Sequence, residues 1–351
     1  MDLMPTSDQE AIQAAVRSFV EHELPMARVR EIASRGAEAY APLWRGAGEL
    51  GFFGLGLPES AGGAGYALTE EMVLMEELGR ALAPGAWLGS VLAAHALADA
   101  GSGELAALRG RILAGELPVA LAEGAAADAL RIHEGHLTGR VPRVPDAAMA
   151  GAFLVLVGET GAFLVPQREG VAVMPRPSMD LTRQVAELEL TNARAIAVGA
   201  AAGGAAALRR QATVLACAEA VGGIQRTVEA SVEYGKVRTQ FDKPIGSFQA
   251  VKHRCADMAT RAEMARAATI YATVAVRDGA ADADFQVSVA KILCANAFLQ
   301  NAADNVQNHG GMGFTWECDA HLFVKRARSF DLTLGSRARQ LDALVERFRA
   351  A

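Results

Sequence analysis

Two short segments of the chain carry the residue types that could hold an anionic ligand. Residues 238–249 read RTQFDKPIGSFQ, and residues 307–314 read QNHGGMGF. The guanidinium and amide groups of the first segment suit a phosphate or a carbonyl-rich ring. The glycines of the second let backbone N–H groups approach an anion closely. Taken singly, each segment also fits a plainer description, an arginine at a helix end or a glycine-rich helix C-terminus.

Long helices must position both segments, because each segment follows a long stretch of helical sequence. We predict helices without proline over Ala205–Lys236, Ser247–Arg277 and Phe285–Asn308, and a last helix over about Ser336–Arg349. Helices of this length joined by short loops are typical of an antiparallel bundle.

The N-terminal part of the chain also predicts helices. Ser7 and Glu10 have the spacing of a capping box, and an amphipathic helix is predicted over Glu70–Leu82. We expect the apolar side chains of that helix to face the core and its four glutamates to face solvent: Glu70, Glu71, Glu76 and Glu77.

The pattern changes to strands from about Glu116 to Val198. Phe153–Val157 and Ala162–Val165 flank a four-residue turn and predict a hairpin. The chain is therefore predicted to be mainly α, with a helical domain at 1–115, a small and shortened β domain at 116–200 and a helical bundle at 201–351.

Composition excludes several classes of protein. Of the 351 residues, 51% are hydrophobic and 21% are charged, and the formal net charge is −6. This balance excludes a disordered chain, and the absence of a basic excess argues against nucleic-acid binding. No signal peptide is visible, and the least charged stretch, Ala195–Leu208, is too short to span a bilayer.

The cysteines and histidines predict no metal site. The four cysteines form no C-x-x-C pair, and the seven histidines show no metal-ligand spacing. We expect reduced, packed thiols in a cytoplasmic protein.

Both ligand-holding segments resemble signatures of the acyl-CoA dehydrogenase family. The first is similar to that family's R-x-Q-F-G-x-x-I-x-x-F-Q signature, and the second to its Q-x-x-G-G-x-G-F signature. Residues 44–80 look like its N-terminal helical domain. The resemblance implies an N-terminal helical domain, a β-barrel-like middle domain and a C-terminal four-helix bundle. It also implies FAD as cofactor, α,β-dehydrogenation of an acyl-CoA thioester, and an electron-transferring flavoprotein as electron acceptor.

The resemblance implies which residues bind the cofactor. In the family, residues of these signatures hold the pyrophosphate and adenosine half of FAD, often for the flavin of a neighbouring subunit. The matching positions are Arg238, Gln240, Phe241, Gln249, Gln307, Gly310 and Gly311. Two features depart from the family. Asp242 stands where glycine is usual, and residues 120–128 lack the Thr, Pro and Ser of the loop that contacts the flavin ring.

The catalytic base of the family has no counterpart at its usual position. That glutamate precedes the last helix, where this chain has Leu334, and an alternative position falls near Ala212. Glu219 and Glu233 are candidate displaced bases, and burial among alanines could raise the pKa of Glu219. Either could instead be an ordinary helical glutamate paired with an arginine. Asp331 lies nearer to the usual position.

Retention of the cofactor signatures without the base leads to one hypothesis and two alternatives. Some family members are heterotetramers that act on bulky acyl-CoA thioesters such as steroid side-chain derivatives. In them a shorter chain without the base lends adenosine-side residues to its partner's FAD, and this chain resembles that subunit. The alternatives are a homomeric dehydrogenase with Glu219 as displaced base, and a flavin-free structural subunit. We expect an acyl-CoA substrate and a homo- or heterotetramer, with neither nucleic acid nor membrane.

Overall fold

The chain folds into two compact units, each described here by itself. The computed structural model describes residues 4–123, 130–159, 161–199 and 203–350. Within them, the bundle unit consists of residues 4–26, 72–83 and 214–350, and the sheet unit consists of the residues between 27 and 71 and between 84 and 213. The predicted fold class is confirmed, whereas the domain bounds 1–115, 116–200 and 201–351 remain a prediction.

Most of the described residues are helical. The helices are α1 (Ser7–Glu23), α2 (Met26–Arg35), α3 (Ala37–Glu49), α4 (Leu68–Arg80), α5 (Trp87–Ala96), α6 (Gly103–Leu113), α7 (Gly204–Val237), α8 (Gln249–Arg277), α9 (Ala283–His309), α10 (Ala320–Leu332) and α11 (Arg337–Ala350). The four helices predicted in the C-terminal part correspond to α7, α8, α9 and α11, and each of their ends lies within two residues of its predicted position.

The strands form two four-stranded sheets and one short hairpin in the described residues. They are β1 (Val119–Ala122), β2 (Leu130–His133), β3 (His136–Pro145), β4 (Ala152–Val157), β5 (Gly161–Pro166), β6 (Val171–Arg176), β7 (Val185–Arg194), β8 (Ile196–Ala197), β9 (Thr239–Gln240) and β10 (Lys243–Pro244). The two larger sheets have the orders β1-β4-β5-β8 and β2-β3-β7-β6. The predicted hairpin is confirmed, because β4 and β5 pair antiparallel with Phe153 opposite Val165.

The two four-stranded sheets share one apolar core in the sheet unit. Phe153 and Val165 from the first sheet are buried in the same cluster as Leu137 and Leu188 from the second. Apolar runs predicted β4 and β5, which carry Phe153 and Val165, whereas β3, which carries Leu137, was not predicted.

Two helices of the bundle unit cross with their backbones in direct contact. A β-carbon on Gly79 of α4 would lie 1.8 Å from the carbonyl oxygen of Glu219 on α7, and one on Gly222 of α7 would lie 1.8 Å from the carbonyl oxygen of Glu76. Neither position has room for a side chain. The next residue of α7, Gly223, faces α9, where a β-carbon would lie 2.6 Å from the ring of Phe298.

The capping box of the first helix lies one residue before the predicted one. Thr6 is the N-cap, and its Oγ1 accepts a hydrogen bond from the backbone N–H of Gln9 at 3.2 Å. The side-chain oxygen of Gln9 accepts one from the backbone N–H of Thr6, also at 3.2 Å. The prediction of Ser7 and Glu10 is wrong because Thr6 and Gln9 satisfy the same spacing rule, and Thr6 adopts the extended backbone that an N-cap needs.

The predicted outward orientation of the glutamates on α4 is wrong. Glu70, Glu71, Glu76 and Glu77 are all buried, with exposed fractions between 0% and 8%. In the bundle unit, Glu77 accepts two hydrogen bonds from Arg17, at 2.7 and 3.0 Å. In the sheet unit, both oxygens of Glu71 lie within 2.9 Å of His95 Nε2. Partners far away in sequence make this burial possible, and a local hydropathy pattern does not contain them.

Glu76 is the least satisfied of these carboxylates. Its Oε2 lies 3.9 Å from Arg266 Nε, and its Oε1 has no hydrogen-bond partner among the described residues. Burial raises the pKa of Glu76 to about 7, against the opposing effect of the Arg266 charge. The bundle unit therefore holds a carboxyl group that binds a proton near neutral pH.

The helix crossing leads to a test with a matched control. Gly79→Ala forces a methyl group into the backbone of α7, so we expect the free energy of unfolding to fall by about 1–3 kcal/mol. Gly110→Ala on α6 places the same group in open space and should raise stability by up to about 1 kcal/mol through helix propensity. Urea unfolding followed by circular dichroism measures both. Equal stability of the two variants would contradict the close crossing.

Candidate functional site

Residues 238–249 and 307–314, which the resemblance assigns to FAD binding, are called the first and second cofactor segments below. The first folds as a small hairpin directly after α7. β9 and β10 pair antiparallel, with Gln240 opposite Lys243. Phe241 and Asp242 form the turn, with φ values of +52° and +61°. A type I′ hairpin turn requires positive φ at both central residues. Neither residue is glycine, so this turn occupies a backbone region that side chains enter only at an energetic cost.

The strained turn presents an aromatic side chain to solvent. Phe241 is 86% exposed, and its ring meets the ring of Phe248 edge-on, with the centroids 6.1 Å apart. Lys243 Nζ lies 4.5 Å from the centroid of the Phe248 ring. Phe241 therefore contributes little to the core and is available for contact with a ligand or a partner.

The polar residues predicted in the first segment are also exposed. The guanidinium of Arg238 has no hydrogen bond or ion pair within the part of the chain that the structure describes, whereas Gln240 Nε2 donates to the neighbouring Thr239 carbonyl at 2.8 Å. Gln249 is the first residue of α8. Arg238 thus keeps its full capacity to bind an anion.

The second cofactor segment is a tight turn that ends α9. Gly310 has φ +61°, and a β-carbon on Gly310 or Gly311 would meet nothing within 4 Å. Gly313 differs, because its β-carbon would lie 2.5 Å from the carbonyl oxygen of Val306. The first two glycines therefore leave open space above the backbone, and the third is required by packing. Gln307, in the last turn of α9, is exposed.

A cavity of about 1220 Å³ in the bundle unit joins the two segments. Arg238 lines it from the first segment, and His309 and Met312 line it next to Gly310 and Gly311. The other predicted cofactor residues are not among its lining residues. Apolar side chains and arginine–glutamate pairs line the rest of it, and the closest atoms of one such pair, Arg80 and Glu229, are 2.6 Å apart.

The resemblance places the family's base at a residue whose side chain is apolar and buried. Leu334 is 8% exposed and lies in the turn between α10 and α11 with φ +56°. Asp331, three residues before it, accepts a hydrogen bond from the backbone N–H of Arg337 at 3.2 Å.

Glu219, the candidate displaced base, lies in an ion pair in the bundle unit. Its Oε1 accepts a hydrogen bond from Arg326 Nη1 at 2.6 Å, and Arg326 is 3% exposed. Arg326 also donates to the carbonyl oxygen of Leu82 at 3.2 Å. Glu233 pairs with Arg226 at 3.2 Å. These contacts fit the plainer interpretation of both glutamates, a helical carboxylate held by an arginine.

The middle loop that departs from the family is only partly described. Ala120–Ala122 belong to β1, and Glu123 accepts a hydrogen bond from Arg209 Nε at 3.0 Å. Positions 124–128 lie outside the described residues. Among the described residues, no cluster of His, Cys, Asp or Glu could hold a metal ion, and no helix is long and apolar enough to cross a membrane.

The structure also shows functional candidates that the sequence reasoning missed. Tyr234 and His309 stack at the ends of α7 and α9, with ring centroids 4.2 Å apart, and Asn305 is buried beside them. A sequence pattern could have indicated them. Tyr234 precedes Arg238 by four residues and Asn305 precedes His309 by four residues, which places each pair on one face of a helix.

Comparison with known proteins gives the same family at both ends of the chain. The profile described as "Acyl-CoA dehydrogenase, N-terminal domain" matches residues 6–110, and that described as "Acyl-CoA dehydrogenase, C-terminal domain" matches residues 207–348. The acyl-CoA dehydrogenase FadE34 of Mycobacterium tuberculosis is 34% identical over 344 residues, which are 95% of this chain and 46% of FadE34. The acyl-CoA dehydrogenase IpdE2 of the same organism is 31% identical over 326 residues, which are 93% of this chain and 92% of IpdE2.

Solved structures agree over the whole length. A chain of the ChsE4–ChsE5 complex from Mycobacterium tuberculosis matches with a TM-score of 0.87 at 28% identity. The match covers 100% of this chain and 100% of that chain. The Tcur3481–Tcur3483 steroid ACAD G363A variant has a TM-score of 0.88 at 27% identity, with 98% of this chain and 99% of that chain covered. The fold is thus that of the acyl-CoA dehydrogenases. This chain belongs to the acyl-CoA dehydrogenase family, and it spans about half the length of FadE34.

The strained hairpin turn can be tested by changing one residue in two ways. Asp242→Gly removes the β-carbon at φ +61°, so we expect the hairpin to gain up to about 1 kcal/mol and its amides to exchange more slowly. Asp242→Ala removes the charge but keeps the β-carbon, so exchange should not slow. Hydrogen exchange of residues 239–245 by mass spectrometry measures both. Slowing in both variants would mean that the carboxylate, and not the backbone, destabilises the turn.

The role of Glu219 can be tested through stability. Glu219→Gln breaks a buried ion pair, so we expect a loss of about 3–5 kcal/mol, most of which Glu219→Met combined with Arg326→Met recovers. Glu104→Gln is the control, because the Glu104–Arg194 pair is exposed and screened by water. Chemical unfolding measures all three. A Glu219→Gln variant with unchanged stability and abolished dehydrogenation would instead identify Glu219 as the base.

Proposed function

We propose that this chain is the subunit of a heteromeric acyl-CoA dehydrogenase that lends cofactor-binding residues to a partner carrying the catalytic base. The reaction is the α,β-dehydrogenation of an acyl-CoA thioester. One observation carries the proposal: both cofactor segments keep the arginine, glutamines and glycines of their signatures and are open to solvent, while the expected base position holds Leu334. The chain keeps what binds a cofactor and lacks what removes a proton.

FAD fits the chemistry of the exposed segments. Arg238 supplies an unpaired guanidinium for a pyrophosphate, and the open backbone at Gly310 and Gly311 admits a close anion. The same two segments also carry the exposed ring of Phe241 and the exposed amides of Gln240, Gln249 and Gln307. When bound, FAD supplies the acceptor for the hydride that leaves the β-carbon of the substrate.

The missing carboxylate determines which chain does the proton transfer. Removal of the α-proton needs a group that accepts it, and a positioned general base contributes about 10²–10⁴-fold to such a reaction. The alkyl side chain of Leu334 accepts no proton, and Glu219 is held by Arg326. The base therefore comes from the partner, while this chain's arginine and glycines hold the cofactor and align it.

The relatives support a two-chain arrangement. ChsE4–ChsE5 is a complex of two proteins, and this chain covers all of the matched one. FadE34 is about twice as long as its matched part, which is the length that two such chains joined end to end would have. Tcur3481–Tcur3483 is described as a steroid ACAD, so we propose a bulky acyl-CoA such as a steroid derivative. An electron-transferring flavoprotein completes the redox cycle.

The two alternatives have less support. A homomeric enzyme with Glu219 as base would need a carboxylate free to reach the substrate, and Glu219 is tied to a buried guanidinium. A flavin-free structural subunit would have no use for an unpaired Arg238 beside an open glycine turn.

Cofactor retention by the purified complex tests the proposal. The chain should be expressed alone and together with a base-containing family member from its own genome. Alone, it should carry little FAD and no dehydrogenase activity, and the pair should carry FAD and oxidise acyl-CoA. Arg238→Ala in the complex should weaken FAD binding by about ten- to a hundredfold, the range for a hydrogen bond to a charged group. Lys236→Ala, an exposed cation in the last turn of α7, is the control and should leave FAD binding unchanged.

One result would overturn this assignment. If the chain purified alone carried stoichiometric FAD and dehydrogenated an acyl-CoA at the rate of other family enzymes, it would be a complete enzyme. A colourless complex with every base-containing partner would favour the structural subunit.

A further inference from the structure

The helices that carry the two cofactor segments are joined by an aromatic stack at their ends. Tyr234, in the last turn of α7, lies over His309, the last residue of α9. The ring centroids are 4.2 Å apart, and the ring planes are inclined by 22°. Arg238 begins one cofactor segment four residues after Tyr234, and Gly310 directly follows His309. The stack therefore lies at the base of both segments.

Hydrogen bonds fix the orientation of the histidine in this stack. His309 Nδ1 lies 2.8 Å from the carbonyl oxygen of Asn305. A carbonyl oxygen only accepts, so Nδ1 carries the hydrogen. Asn305 is 1% exposed, and its Oδ1 accepts a hydrogen bond from Ser231 Oγ on α7 at 2.8 Å. The network thus crosses from α9 to α7 twice, once through rings and once through a hydrogen bond.

The same network reaches the backbone of the first segment. The backbone N–H of Arg238 donates to the Tyr234 carbonyl at 2.9 Å, and that of Ile245 donates to the Arg238 carbonyl at 2.8 Å. Ser231, Tyr234 and Arg238 are spaced three and four residues apart, so they lie on one face of the last turns of α7. Movement of Tyr234 would therefore be transmitted to Arg238 and to the hairpin.

We propose that Tyr234 and His309 are positioning residues that hold the two cofactor segments in register before a partner subunit binds. This inference rests on the proposed function of these segments. Each segment alone is weakly held: the hairpin has two residues per strand, and such short pairs are marginal by themselves. A half-site that is already ordered loses less conformational entropy when the cofactor and the partner arrive.

A contact with α8 shows what the stack adds. Arg254 Nη1 on α8 donates to Asn308 Oδ1 at 2.9 Å, which fixes the end of α9 to the helix that follows the hairpin. This hydrogen bond does not involve α7. The stack of Tyr234 on His309 connects the ends of α7 and α9, and the hydrogen bond from Ser231 to Asn305 supports it one turn earlier.

Hydrogen exchange of the isolated chain tests the positioning role without cofactor or partner. We expect His309→Ala and Tyr234→Leu to speed the exchange of residues 239–245 and 310–314 by about three- to tenfold, the range that loss of an aromatic pair allows. Tyr234→Phe keeps the ring and should restore slow exchange. Tyr271→Leu, a partly exposed tyrosine on α8, is the matched control and should change neither segment. Unchanged exchange in His309→Ala and Tyr234→Leu, or fast exchange in Tyr234→Phe, would overturn the proposal.

FAD binding by the complex with a base-containing partner separates this proposal from the proposed function. His309→Ala should weaken FAD binding by the same factor by which it speeds exchange, and Tyr234→Phe should bind FAD as the unchanged chain does. If exchange rises in His309→Ala while FAD binding stays the same, the network orders the segments but the segments do not hold the cofactor. That result would reject the proposed function and leave the coupling of the segments established.

Discussion

The consecutive glycines Gly222 and Gly223 fix the position of α7, on which the rest of the bundle unit depends. Gly222 lies against the backbone of α4, and Gly223 lies against the ring of Phe298 on α9. Both contacts fall within one turn, so α7 can neither rotate nor slide without driving an atom into a neighbour. Arg238 directly follows the last residue of α7 and lies fifteen residues after Gly223, which corresponds to a rise of about 22 Å along the helix axis. The position of Arg238 therefore depends on a contact made far from it.

Buried ion pairs also restrict the geometry of the bundle unit. Glu77 with Arg17, and Glu219 with Arg326, are carboxylate–guanidinium pairs in which at least one partner is almost fully buried. Such pairs add little net stability compared with well-packed apolar groups, but each one permits only a narrow geometry. Glu76 shows the limit of this arrangement. With one oxygen unpartnered, it stays buried largely because its carboxyl group can keep its proton near neutral pH.

The sequence predicted the architecture better than the environment of single residues. Helix bounds were accurate to two residues for α7, α8, α9 and α11, because uninterrupted helical sequence and turn residues are local signals. The prediction that the glutamates of α4 face solvent is wrong. The partners of Glu77 and Glu71, Arg17 and His95, are distant in sequence and do not contribute to the local pattern. The stack of Tyr234 on His309 was missed for the same reason. Periodicity shows which residues share a helix face, but not which residue of another helix meets that face.

Backbone strain occurs at three positions that the family resemblance singles out. Seven non-glycine residues among those described have positive φ, and three of them are Phe241, Asp242 and Leu334. Two form the hairpin turn of a cofactor segment, and the third stands where the resemblance places the family's base. Strained residues persist only where the surrounding structure holds them, and they concentrate at functional sites. At position 334 the strained residue is a leucine. The role that we propose for this chain, a subunit that completes a partner's site, would account for a strained turn that is kept at a position without a carboxylate.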